Sequence, residues 1–103
     1  NLVEARKLFN QSIHAAKDGS HAQAKAKARL ADVYVEENDW EKALPLFREA
    51  VDQNPDLYEA WYKLATVLRR VEQFDESEQA LIQFELNRRR VRPDLYTSTR
   101  FPE

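Results

Sequence analysis

The chain has no cysteine, no methionine and only one glycine, Gly19, in 103 residues. Without cysteine there is no disulfide framework, no thiolate zinc site and no thiol nucleophile, and the redox compartment stays open. With one glycine there is no glycine-rich phosphate loop, and tight hairpins lose their favoured residue. Long apolar runs are also lacking. None approaches the roughly 18 residues of a spanning helix, so membrane insertion is not expected. No basic segment followed by an apolar one marks a signal peptide. Neither charge dominates: 16 Lys and Arg stand against 18 Asp and Glu, a net charge of −2. That argues against a general phosphate-binding surface, and no nucleic acid partner is expected.

What remains is 43% hydrophobic and 33% charged, rich in Ala, Leu, Glu, Lys and Arg. This composition favours an all-α protein. The chain opens on Asn1 inside a helical pattern, so it is expected to be a piece of a longer one.

Five helices are predicted. Residues 2–17 place Leu2, Ala5, Leu8, Phe9, Ser12, Ile13 and Ala16 at spacings of three and four. Gly19 ends this helix with a left-handed residue. Ser20 and Gln23 form a capping-box signal for the second, which runs to about Glu37. Asp39 opens the third, with Trp40, Ala43, Leu44, Phe47, Ala50 and Val51 on its apolar face. Pro45 lies inside it and should bend it locally. Asn54-Pro55 closes it. Asp56 with Glu59 is expected to start the fourth helix, and the fifth runs from about Phe74 to Arg90. Residues 93–103 are expected to be a tail or linker.

The chain matches itself at a shift of 34. Leu30 falls on Leu64, Ala31 on Ala65, Val33 on Val67, Trp40 on Phe74, Ala43 on Ser77 and Phe47 on Leu81. Large residues meet large and small meet small, as in a stacked repeat whose units cannot cover their apolar faces alone. With this period, a helix–turn–helix unit and Leu30-Ala31, Tyr34, Ala43, Phe47, Ala50 and Pro55 in place, the chain resembles the tetratricopeptide repeat family. The resemblance covers one full repeat at 24–57, another at 58–91, and the second helix of a partial repeat at 2–17, together a domain of residues 1–92. It implies antiparallel helix pairs stacked as a right-handed solenoid. Three departures stand out: Lys27 where tryptophan is usual, Leu68 for a tyrosine, and Arg89 for the closing proline. Ala5 also lies 38 residues, not 34, before Ala43.

Signals for catalysis are poor. His14 and His21 stand seven apart across the Gly19 break, with no carboxylate completing a metal set. Asp75, Glu76 and Glu78 fit the first turn of a helix, where the dipole favours them. The run Arg88, Arg89, Arg90 and Arg92 suits a helix C-terminus, with an acidic partner as the alternative. No enzyme, cofactor or metal is expected.

The resemblance instead implies a scaffold that holds a peptide or partner protein in a concave groove lined by the first helix of each repeat. Carried onto this chain, the groove residues are Lys25, Arg29, Asp32 and Glu36, beside Ala28 and Val35, then Glu59, Tyr62, Lys63, Thr66, Arg69 and Arg70. The family's grip on a terminal carboxylate is not expected, because Ala28, Asp32 and Lys63 stand where its Lys and Asn would be. Self-association through the repeat ends, or a regulatory role within a larger protein, are the alternative functions. Trp40 and Phe74 are expected to be buried in the seams between helices. Leu95, Tyr96 and Phe101 are expected to fold back onto the fifth helix.

Overall fold

The computed structural model describes residues 1–97. Five long helices follow one another: α1 (Leu2–Ala15), α2 (His21–Glu36), α3 (Trp40–Gln53), α4 (Tyr58–Arg70) and α5 (Phe74–Val91). A one-turn helix, α6 (Asp94–Thr97), follows in the stretch read as a tail. Each of α1 to α5 packs on the next, which makes α2–α3 and α4–α5 antiparallel pairs of a helical repeat. The radius of gyration is 15.0 Å. A globule of this length would have about 13 Å, so the pairs are stacked along an axis.

Local chemistry sets the helix ends. The Asn1 side chain caps α1 by accepting from the Glu4 amide. Ser20 Oγ accepts from the Gln23 amide at 3.1 Å. Gln23 answers by accepting from the Gly19 amide at 2.9 Å, so the box is offset by one residue. Its amide nitrogen donates to the Ile13 carbonyl and to Asp18, which locks the α1–α2 turn. Helix α1 ends earlier than expected, at Ala15 with an extended Ala16, and Gly19, at φ +76°, instead sits in the turn that the Ser20 amide closes by donating to the Lys17 carbonyl. Asp39 caps α3 through the Lys42 amide. Asp56 does not start α4. The helix begins at Tyr58 with no side-chain cap, and the Asp56 amide instead donates to Asn54 Oδ1. Helix α3 runs unbroken through Pro45, whose ring is exposed.

The two repeats share a turn that composition hides. Asn38 and Glu72 are both left-handed, at φ 60° and 63°. The Asn38 amide donates to the Val35 carbonyl and the Asp39 amide to Tyr34; Glu72 donates to Arg69 and Gln73 to Leu68. These are two Schellman motifs one repeat apart, and each aims the second helix of a pair back along the first.

The core lies between the pairs. Ala43, Phe47, Ala50 and Leu68 are fully buried, with Ala31, Leu64, Ala65, Val67 and Ala80 around them. Small residues let the helix backbones approach, and Phe47 fills the space left between them. Where Ala43 recurs as Ser77, the hydroxyl is satisfied by donating to the Ala65 carbonyl at 2.8 Å. Lys27, in a usual tryptophan place, buries its stem and reaches Glu49 at 2.9 Å. Arg89, in the place of Pro55, lets α5 run four residues past the equivalent end of α3.

The expectation for the seams needs correction. Trp40 is half-buried, with the Arg70 guanidinium 5.2 Å from its ring, whereas Phe74 is 61% exposed. Both open the second helix of their pair, so the register stands, but no described helix covers Phe74 as α4 covers Trp40.

Candidate functional site

The first helices of the two pairs, α2 and α4, lie side by side and are bridged by one ion pair, Lys63 Nζ to Asp32 Oδ2 at 2.9 Å. An open cavity of about 840 Å³ spans this face. From α2 it takes Lys25, Ala28, Arg29, Asp32, Val33 and Glu36, and from the start of α4 it takes Glu59, Ala60 and Lys63. Lys25, Arg29, Glu36 and Glu59 make no ion pair among the described residues. The wall therefore offers both charge signs on rigid helices, around an apolar floor.

Part of that floor comes from α1. Leu2, Ala5 and Phe9 line the same cavity, as do Asp56 and Leu57 from the α3–α4 turn and Tyr58 at the first position of α4. None of these six was picked out as a groove residue from the sequence. A signal for Ala5 and Phe9 existed. Their spacing matches Ala43 and Phe47, which need a covering helix, and none precedes α1 among the described residues.

The remaining groove candidates lie elsewhere. Tyr62 lines a second cavity of about 450 Å³ with Tyr58, Phe84, Arg88 and Leu95. Its ring meets Phe84 edge-on at 5.3 Å. Thr66 turns its hydroxyl back onto the Tyr62 carbonyl. Arg69 and Arg70 line neither cavity, and Arg70 lies over Trp40.

The basic run at the end of α5 is engaged within the chain. Arg88 lies over Phe84 at 5.6 Å, and Arg89 lies over Tyr96 at 4.5 Å and 3.8 Å from Glu85. Arg90 reaches Asp56 at 2.5 Å, and Arg92 grips Asp94 with two hydrogen bonds of 2.9 and 2.8 Å. The Arg92 contact holds the Asp94 carboxyl below its usual range, and Asp94 in turn raises the Arg92 guanidinium above its own. Leu95 and Tyr96 thus sit back near α5, while Phe101 lies outside the described residues.

Among the described residues no cluster of three His, Asp or Glu side chains is placed to hold a metal ion, and no helix is long and apolar enough to cross a membrane. Residues 24–67 match the sequence model of one helical repeat family. That model is the tetratricopeptide repeat. No curated protein matches the chain. Tetratricopeptide repeats generally mediate protein–protein interaction and are typically non-enzymatic modules.

Proposed function

We propose that this tetratricopeptide repeat chain is a non-catalytic scaffold that binds a peptide or partner protein on the face shared by α2 and α4. One observation carries the reading. Lys63 and Asp32 neutralise each other at the centre of that face, while Lys25, Arg29, Glu36 and Glu59 surround a partly apolar cavity with their charges unspent. Side chains so placed can fix the register of a ligand by charge-assisted hydrogen bonds. Tyr62, Thr66 and Arg69 extend the same helix toward its C-terminus and are exposed to a longer ligand, whereas Arg70 is turned onto Trp40.

The test is selection of peptides from a displayed random library, followed by titration of a selected peptide into isotope-labelled protein. Amide shifts should cluster on α2 and α4, and affinity should fall as salt rises from 50 to 500 mM, a range over which the Debye length shrinks from about 14 to 4 Å. Shifts confined to the outer faces of α3 and α5 would sink the reading.

A second reading, self-association through a repeat end, is favoured by the outward face of α5. There Phe74, Ile82 and Leu86 are 61%, 46% and 55% exposed. Light scattering across a hundredfold concentration range separates it, because a constant monomer mass removes it.

A further inference from the structure

Aspartate followed by glycine occurs once in this chain, at Asp18-Gly19; every other Asp or Asn precedes a residue with a side chain. The difference is chemical. The backbone nitrogen of the following residue can attack the aspartyl Cγ, and only glycine brings no Cβ to hinder the approach. The N–Cγ bond forms, the carboxyl group leaves as water, and a five-membered succinimide results. Water then opens the ring at either carbonyl. One opening returns aspartate, and the other gives isoaspartate, in which the backbone runs through the side-chain carbon. The sequence of steps loses one water and regains it, with no oxidant, reductant or cofactor.

The pair stands in the open. Both residues are exposed, and no atom lies within 4 Å of where a Gly19 Cβ would be. Solvent therefore reaches the reacting atoms, yet one neighbour holds both of them. The Gly19 amide donates to Gln23 Oε1 at 2.9 Å, and Asp18 Oδ1 accepts from Gln23 Nε2 at 3.2 Å. Nε2 also donates to the Ile13 carbonyl at 3.2 Å, and Oε1 also accepts from Gln53 Nε2 at 3.3 Å. Gln23 is 6% exposed, and both donors and both acceptor places of its side chain are taken, so its orientation is fixed. For attack, the Gly19 N–H must leave Gln23 and the Asp18 carboxyl must swing onto the nitrogen. Each move leaves a buried polar group without its partner, which is costly.

We propose that Asp18-Gly19 is a site of non-enzymatic isoaspartate formation, and that Gln23 is the guard that restrains it by binding nucleophile and electrophile to itself rather than to each other. Rearrangement adds a carbon to the backbone of the turn, and one side chain can then no longer reach Ile13, Asp18 and Gly19 together. Helix α1 loses its tie to the first turn of α2, the helix that carries Lys25 and Arg29.

The full chain, its Gln23→Ala variant and a synthetic peptide of residues 14–24 are incubated side by side at physiological temperature. Isoaspartate is counted with a carboxyl methyltransferase that acts on it and located by peptide mapping with electron-transfer fragmentation. It should form at residue 18 ahead of every other aspartate. The folded chain should react at least about tenfold more slowly than the peptide, and Gln23→Ala should accelerate the chain about tenfold, as expected for two lost hydrogen bonds that each contribute a factor of a few. Ser20→Ala removes the cap of α2 but keeps the Gln23 side-chain bonds, and should age close to the rate of the unaltered chain. Circular dichroism checks the fold of each variant. Where Gln23→Ala does not fold, Gln23→Glu takes its place: it keeps the size and the acceptor, sets a carboxylate against Asp18 where a donor stood, and should also accelerate the reaction. Equal rates in chain and peptide overturn the inference, as does a folded Gln23 variant that ages no faster than the unaltered chain. Acceleration by Ser20→Ala as large as that by Gln23→Ala overturns it too, by making a loosened turn, rather than Gln23, the cause.

Discussion

Asn38 and Glu72 stand one repeat apart and share a left-handed backbone, φ 60° and 63°. Asparagine tolerates this region, whereas glutamate has no local compensation for the clash of its Cβ. Each residue occupies the place past a helix end where glycine is favoured. Glu72→Gly should therefore stabilise the fold by about 0.5–1 kcal/mol, less the entropy glycine adds to the unfolded chain. Asn38→Gly should do less. Thermal unfolding checks this: the melting temperature should rise by about 2–8 °C for Glu72→Gly, and a fall would show that the Glu72 side chain stabilises the turn.

Burial ranks three aromatic residues. Phe47 is fully buried, Trp40 is half-buried under Arg70, and Phe74 is 61% exposed. Truncation to alanine should cost about 3–5 kcal/mol at Phe47, an intermediate amount at Trp40, and less than about 1 kcal/mol at Phe74. Urea denaturation orders them. A Phe74 cost equal to that of Trp40 would mean that something covers Phe74 in solution.

The contrast between Trp40 and Phe74 shows what a repeat period can convey. Large and small residues recur at packing positions because both pairs solve the same seam, so the five long helices and their pairing were legible, while α6 was not. The left-handed turns at Asn38 and Glu72 were not legible, since nothing in glutamate announces a positive φ. A period states what each residue would pack on, not whether that neighbour is there, so exposure at Phe74 could not be read from spacing. Long side chains set the rest. Arg70 lies on Trp40 and Arg90 pairs with Asp56, choices made by three-dimensional neighbours and invisible in a list of charges.

Arg70 is therefore a poor choice for weakening a groove ligand. Arg70→Ala should lower stability by about 0.5–1 kcal/mol through the lost contact with Trp40, and leave affinity for a ligand of the α2–α4 face within about twofold. Lys25→Glu, on the cavity wall, should leave stability unchanged within about 0.5 kcal/mol and weaken an acidic ligand in a salt-dependent way. Calorimetric titration of both variants decides it. Equal losses of affinity would extend the site to the end of α4.

Acid should loosen the end of the chain before the core. Asp94 holds its carboxylate through two hydrogen bonds from Arg92, and its folded pKa is lowered. A lowered carboxylate pKa means that the folded form binds a proton less readily than the unfolded form. Its contribution is fully present above the ordinary aspartate value near 4, and is lost as pH falls through the lowered one. Around it, Arg88 and Arg89 lie over the Tyr96 ring, and Tyr96 Oη donates to Glu85 at 3.4 Å. Protonating Asp94 frees one end of α6, and the Tyr96 ring should drift toward the shifts of an unstructured tyrosine below about pH 4. Asp94→Asn should bring that drift to neutral pH while the Trp40 signals stay put. Carbon-detected titration of the Asp94 carboxyl, alongside the Tyr96 ring protons, measures both. A midpoint at or above the ordinary aspartate value would mean that the Arg92 pair does not persist in solution, and that α6 is held by Leu95 and Tyr96 alone.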